Sequence, residues 1–300
     1  MDQLLAHARK LTNQKAVGRQ LPIANRVAYV VSHAVSYASN GYAVRTHGVA
    51  RALKQAELDV LCFLRPGSPW DLPGFKAFHS SFAVVDGVRY IHSRWFQGEL
   101  AGGSIAFLEA SAKRYEELFK VYRPSAVLAA SNWVTALPAW VAAKQLNLPF
   151  FYEVRGFWEL SRAARDPSYF DTDPFKADIA RESFLAQQAQ KVFTLNEPMR
   201  GELTARGVNR DQIELVPNGL YELPAIRKPS GSLKQRLGIK PGEKVVGYVG
   251  SFSPYEGLDV LFDACTELVK AGEKIKLLLV GDSQVLTLKN QSSRKDRVAL

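Results

Sequence analysis

The sequence predicts an α/β protein built on parallel sheets, and three observations predict it. Short apolar runs recur at RVAYVVS (26–32), LDVLCFL (58–64), SAVLAA (125–130), PFFYEV (149–154), KVFTL (191–195) and QIELV (212–216). Segments of helical periodicity alternate with them, as in VRTHGVARALKQA (44–56), where Val44, Val49, Leu53 and Ala56 fall near one face. The alternation then restarts after a Pro-, Gly- and Lys-rich stretch, with KVVGYVG (244–250), LDVLFDACTELVKAG (258–272) and KIKLLLVG (274–281). Strand, helix and strand in succession favour parallel pairing, because parallel strands need a crossover.

The elements follow in order. Residues 1–22 carry basic charge but no continuous apolar segment and are read as an N-terminal extension. The run 26–32 suits a strand buried on both faces; SHAVSYASNGY is the loop after it, 44–56 the crossover helix and 58–64 the next strand. In FAVV-DG-VRYIH (82–92), Asp86-Gly87 between two β-rich segments predicts a type I′ hairpin. A helix over 103–122, the strand 125–130, a helix over 136–145 and the strand 149–154 come next. A helix over 178–190, the strand 191–195, a short helix after Pro198 and the strand 212–216 end at Pro217-Asn218-Gly219. Two Rossmann-like domains result: 23–222, a linker over 223–243, and the start of a second at 244–300. That second sheet is expected to be incomplete, since a doubly wound domain needs about five or six strands. The chain therefore reads as a fragment.

Composition narrows the partners. With 47% hydrophobic and 23% charged residues in 300, the chain is globular, and no apolar run reaches the ~20 residues that span a bilayer. No secretory signal is visible at the start, so a cytoplasmic location is expected, and Cys62 and Cys265 read as reduced thiols without metal-ligand spacing. The net charge of +10 admits phosphorylated small molecules or a peripheral contact with anionic membrane. Nucleic acid is disfavoured, because the cations are scattered and no zinc-finger spacing, RNP-like block or long basic run is present.

Ligands of open parallel sheets bind beyond the carboxyl ends of the strands. The loop after the first strand lacks G-x-G-x-x-G, which argues against a nicotinamide enzyme. Asn40-Gly41 either lets backbone approach a phosphate at a helix N-terminus or simply caps that helix. Arg45, in the helix's first turn, opposes the macrodipole and is better placed for an anion than for stability. His33 and His47 are candidate polar contacts. In FFYEVRGFWE (150–159) a buried strand delivers Arg155, Gly156, Trp158 and Glu159 at its carboxyl end. Gly156 would let the chain turn away, Arg155 would offer a fork to phosphate or sugar oxygens, Trp158 an apolar face to a sugar ring, and Glu153 or Glu159 an acceptor for hydroxyls. An Arg–Glu ion pair covered by Phe157 and Trp158 is the alternative.

Taken together, SNGYAVRTHG, YEVRGFWE, VPNG and GYVGSFSPYEGLDVL resemble the retaining family 4 glycosyltransferases of the GT-B fold, particularly a branch in bacterial exopolysaccharide assembly. The resemblance runs from about Arg26 to Asp282. It implies two Rossmann-like domains, the first binding a glycan or lipid-linked acceptor and the second a nucleotide-sugar donor, with transfer by retention and no metal or other cofactor. It further implies a substrate-binding set of Asn40, Gly41, Tyr42, Arg45, His47, Glu153, Gly156, Trp158, Asn218, Gly250, Ser251, Tyr255, Glu256 and Gly257. Arg155 stands where many relatives have a histidine near the donor sugar and is the catalytic candidate, expected in the interdomain cleft with its guanidinium free. Departures are Ser251 and Glu256 where many relatives carry an arginine and a lysine, and Tyr221 near where they often show an aspartate. The family's paired glutamates would fall after Leu300, so the 300 residues alone are not expected to turn over a nucleotide sugar. A nucleotide-sugar epimerase of the same fold and a non-catalytic sugar- or lipid-binding module are the alternatives. No strand-end loop points to a glycoside hydrolase.

Overall fold

The computed structural model describes residues 2–14, 21–72, 80–94, 102–220, 223, 225, 231–252, 256–281 and 298–299. They form two compact units, one of residues 1–163 and 168–222, the other of 164–167 and 223–300.

The first unit is an eight-stranded sheet with strands β1 (Arg26–Val31), β2 (Asp59–Leu64), β3 (Phe82–Val85), β4 (Val88–Ile91), β5 (Ala126–Ala130), β6 (Phe150–Val154), β7 (Val192–Thr194) and β8 (Ile213–Leu215). Their order is β3-β4-β2-β1-β5-β6-β7-β8, and every pair is parallel except the β3–β4 hairpin. Asp86 and Gly87 both have positive φ, 45° and 74°, as a type I′ turn requires. The chain runs outward from β1 to one edge and then returns to β5, so the strand order reverses between β1 and β5. That switch point opens a crevice at the carboxyl ends of β1, β5 and β6.

Alternate residues of β1 serve opposite faces. Ala28 and Val30 join the larger core with Leu137, Trp140, Tyr152 and Leu185; Tyr29 and Val31 join the smaller one with Ala50, Cys62 and Leu64. The large core is covered by α3 (Ile105–Tyr122), α4 (Trp133–Gln145) and α6 (Asp173–Gln188), the small one by α2 (Gly41–Gln55); the shorter α5 (Trp158–Arg165) follows β6 and α7 (Glu197–Ala205) joins β7 to β8. Burial pushes the Cys62 thiol up to about 12, which keeps it protonated and inert.

Two expectations change here. The N-terminal extension contains α1 (Gln3–Thr12), capped by Asp2, whose carboxylate accepts from the Leu5 N–H at 3.0 Å; Leu4 and Ala8 are buried as it packs on α4. The helix expected from 136 starts at Trp133 despite Pro138. Asn132 makes no side-chain cap there; the Glu182 carboxylate on α6 accepts from the Trp133 N–H at 2.7 Å and caps α4 from another helix.

The second unit has β9 (Lys244–Val249), α9 (Leu258–Lys270) and β10 (Ile275–Val280), preceded by α8 (Gly231–Arg236) inside the stretch read as a linker. β11 (Val298–Ala299) adds a third parallel strand beside β10, one more than the sequence suggested. Leu258, Leu277 and Leu279 are buried, whereas Val245, Val249, Val260 and Val280 are exposed. Among the described residues this unit has a small core.

Candidate functional site

Glu153, near the end of β6, is 2% exposed and is the centre of the crevice's charge. Its Oε1 accepts from the Arg45 Nε at 2.8 Å and its Oε2 from the Arg155 NH2 at 2.8 Å, with the Tyr29 hydroxyl also donating to Oε2. Burial alone would raise this carboxyl, but Arg155, Arg45 and the Tyr29 hydrogen bond together hold it below the usual range. It is a buried anion between two cations.

That arrangement corrects the reading of Arg155. Its side chain is 4% exposed, and its guanidinium is not free: NH1 donates to the Thr46 Oγ1 at 2.8 Å and to the Tyr42 carbonyl at 3.2 Å, while NH2 serves Glu153 and the Tyr29 hydroxyl. Arg155 thus ties β6 to the first turns of α2. The ion-pair alternative holds with a different partner, since Glu159 pairs instead with Arg206 at 2.8 Å, and Arg206 lies 4.3 Å from the Phe157 ring centroid.

Arg45 is corrected in the same way. The anion that it meets at the head of α2 is the protein's own Glu153; its NH2 donates to the Val216 carbonyl at 2.8 Å, and its NH1 to the Pro217 carbonyl at 3.1 Å and the Asn218 Oδ1 at 2.9 Å. The segment leaving β8 is thereby stapled to α2. Asn40 is the helix cap, accepting from the Ala43 N–H at 2.9 Å.

Three rings stack beside this network. Tyr42 lies 5.6 Å from His33 and 5.0 Å from Trp158, each at 25° between planes. Tyr42 itself stays 36% exposed, so the three rings together offer an aromatic surface to a sugar. Burial first, then Arg155 and Arg65, lower the His33 pKa and keep its imidazole neutral. A cavity of about 780 Å³ runs from Gly41, Tyr42 and Arg155 along Gly48 and Ala52 of α2, and its other wall includes Asn218 and Gly219.

The remaining candidates lie elsewhere. His47 bonds the Tyr90 hydroxyl at 2.8 Å and Asp86 at 3.0 Å, on the hairpin side of α2 and away from the cavity. Gly156 has no positive φ, and a Cβ there would meet nothing within 4 Å, so the chain's turn does not require glycine. Gly250, Ser251, Glu256 and Gly257 belong to the second unit, where Gly257, φ 68°, precedes α9 without a side-chain cap. Tyr255 and Tyr221 lie outside the described residues. Sequence reasoning missed Tyr29 and Thr46, which look like core and helix filler. It also passed over Arg65 and His92, although both directly follow strands: Arg65 pairs with Asp71 and bonds Ser68 at 2.9 Å, and His92 lies edge-on to Tyr37. Among the described residues no group of three or more His, Cys, Asp or Glu could hold a metal ion.

An open, mostly parallel sheet with its polar groups gathered at the switch point defines the class: a doubly wound α/β protein whose ligand site lies beyond the strand ends. Residues 40–219 match the glycosyl transferase 4-like domain and residues 230–297 the glycosyl transferases group 1, and the chain belongs to the glycosyl transferase 4-like family. It is 26% identical over 152 residues to the D-inositol 3-phosphate glycosyltransferase of Nocardia farcinica, a match covering 50% of this chain and 33% of that protein. The fold is that of GT-B glycosyltransferases. Anabaena HepE in complex with UDP and glucose has a TM-score of 0.62 at 16% identity, covering 91% of this chain and 68% of that one. Arabidopsis thaliana starch synthase IV bound to ADP and acarbose gives 0.61 at 14%, covering 92% and 73%.

Proposed function

We propose that this chain supplies the acceptor side, and the beginning of the donor side, of a retaining glycosyltransferase that moves a sugar from a nucleotide-sugar donor to a glycan or lipid-linked acceptor, in cell-surface or exopolysaccharide synthesis. The observation that carries the reading is that the family match spans Asn40 to Gly219, the two segments whose side chains meet around the cavity and Arg45. The Anabaena relative's complex with UDP and glucose supports a nucleotide-sugar donor.

In this reading Arg155 is a positioning residue, holding Tyr42 and Thr46 while the stacked rings of His33, Tyr42 and Trp158 receive a sugar. A departing diphosphate needs N–H donors or cations. With Arg45 and Arg155 committed to Glu153, the uncapped N-terminus of the 13-residue helix α9, behind Gly257, is the better candidate for that charge. No metal takes part, the location is cytoplasmic, and the +10 charge supports peripheral contact with anionic membrane.

The test incubates the chain with a panel of nucleotide sugars and lipid-linked or oligosaccharide acceptors. Acceptor and donor binding are followed by calorimetry, nucleotide release by a coupled assay, and product anomers by NMR. Acceptor binding that Trp158→Ala abolishes is expected; where release occurs, the product keeps the donor's configuration. Conversion of a nucleotide sugar at C2 without acceptor would replace this reading with an epimerase. Failure to bind any donor or acceptor would refute it.

A further inference from the structure

A second cavity, of about 480 Å³, lies where α1, α4 and α6 end together. Arg9, Lys10, Thr12 and Asn13 come from the end of α1, Trp140 and Lys144 from α4, and Phe184 and Gln188 from α6. None of these residues belongs to the strand-end site, and α4 ends on the side of the sheet where β6 begins.

The charge of this cavity is one-sided. Three cations line it, no carboxylate does, and among the described residues Arg9, Lys10 and Lys144 take part in no ion pair. Arg9 is held flat, with its guanidinium carbon 4.9 Å from the Phe184 ring centroid, so its edge donors stay available. Some exposed cations of the unit do find a carboxylate, as Lys113 does with Glu116 and Lys176 with Asp171.

Cations at helix C-termini have an ordinary explanation, since each helix end carries about half a negative charge. Three ends bring roughly −1.5, and three cations leave an excess of about +1.5 concentrated in one concavity. Dipole compensation therefore uses only half of the charge. A donor-rich, carboxylate-free cavity of this size suits an oxyanion with several acceptor oxygens.

We propose that the cavity between the ends of α1, α4 and α6 binds a phosphate-class oxyanion, either a free phosphorylated molecule or the phosphate of a lipid headgroup. It is independent of the strand-end site and goes beyond the transfer reaction. Arg9 and the two lysines supply the charge, Thr12, Asn13 and Gln188 polar rim contacts, and Phe184 and Trp140 the apolar floor.

The experiment titrates the whole chain with inorganic phosphate and pyrophosphate by calorimetry. In parallel, it is sedimented with phosphatidylcholine vesicles with and without phosphatidylglycerol. The variant R9Q/K10Q/K144Q is expected to weaken binding at least tenfold. The charge-keeping set R9K/K10R/K144R should stay within about threefold of wild type, and K113Q/K176Q, which removes charge outside the cavity, should change nothing. Phosphate or pyrophosphate binding lost only in the triple Gln variant identifies a soluble anion as the ligand; binding confined to phosphatidylglycerol vesicles and lost in the same variant identifies a headgroup. Both sustain the site. No binding in either arm, or equal loss in K113Q/K176Q, overturns it.

Discussion

Replacing Glu153 by Gln removes the one anion that two buried guanidiniums share. Its contacts with Arg45 and Arg155 are each 2.8 Å long. At an effective dielectric of ~20, one such pair attracts by about 6 kcal/mol before desolvation is subtracted. Two pairs converge on Glu153 but only one on each arginine, so the three positions should not be equivalent. Breaking a buried pair by deleting one partner costs about 3–5 kcal/mol net, because a charge is left behind. Glu153→Gln leaves two charges and belongs at the top of that range. Arg155→Met leaves Glu153 with Arg45 and should cost about 3 kcal/mol. Arg45→Met, whose other donors hold the carbonyls of Val216 and Pro217, should cost about 1–3 kcal/mol. Urea unfolding followed by tryptophan fluorescence reads this directly, since Trp70, Trp95, Trp133, Trp140 and Trp158 all precede the second unit's strands. The folded pKa of Glu153 is depressed, so its stabilisation is present above the ordinary carboxylate pKa and is lost as pH falls through the lowered value. Glu153→Gln should erase that part of the acid limb. If it proves as stable as Arg155→Met at neutral pH, the shared-anion argument is wrong.

Other positions give independent checks. Glu182, fully buried, is raised from 4.5 to about 7, chiefly by burial, so it stabilises fully below 4.5 and loses that contribution as pH rises through about 7; Glu182→Gln should flatten stability between these limits and gain up to about 3 kcal/mol above pH 8, by denaturation across pH. Gly103 has φ 85°, and a Cβ would come 2.8 Å from the Trp133 ring, so Gly103→Ala should lower stability by about 1–3 kcal/mol; an unchanged melting temperature would rule out the clash. Gly48 lies inside α2 with open space around it, and Gly48→Ala should therefore stabilise by about 0.5–1 kcal/mol while narrowing the larger cavity, which thermal melts and acceptor titration read separately. Asn40→Ala should cost about 1 kcal/mol and Asn40→Ser should restore it; if Ser keeps stability but loses ligand binding, Asn40 does more than cap.

The fold was legible because its signals are local. Each apolar run of the first unit became a strand within a residue or two, and Asp86-Gly87 made the hairpin that its backbone preference demands. The α1 helix was legible as well, with Asp2 ahead of Leu4, Ala8 and Leu11 at helical spacing, although residues 1–22 were read only as an extension with no element assigned. The start of α4 was not legible. Pro138 argues for a later start, and the cap that permits the earlier one comes from Glu182, nearly fifty residues on.

The site divides along the same line. That Glu153 and Arg155 stand at the carboxyl end of a strand and Arg45 in the first turn of a helix was readable from the sequence; that they share a crevice follows from strand order, which periodicity does not give. Which of them faces a ligand does not follow, because it depends on pairing across the sheet. β1 lies one strand away from β6, with β5 between them, and this brings Tyr29 and Arg155 together on the Glu153 carboxylate, while Glu159 pairs with Arg206. An arginine at a strand end is therefore ambiguous until its nearest buried carboxylate is known. Here that carboxylate is two residues back, near the end of β6, so that alternation carried one residue past the strand puts both side chains on one face. The same alternation leaves Arg65 and His92 at the ends of β2 and β4. The rule that singled out Arg155 applies equally to them, and they are the strand-end side chains to add to any acceptor-binding scan.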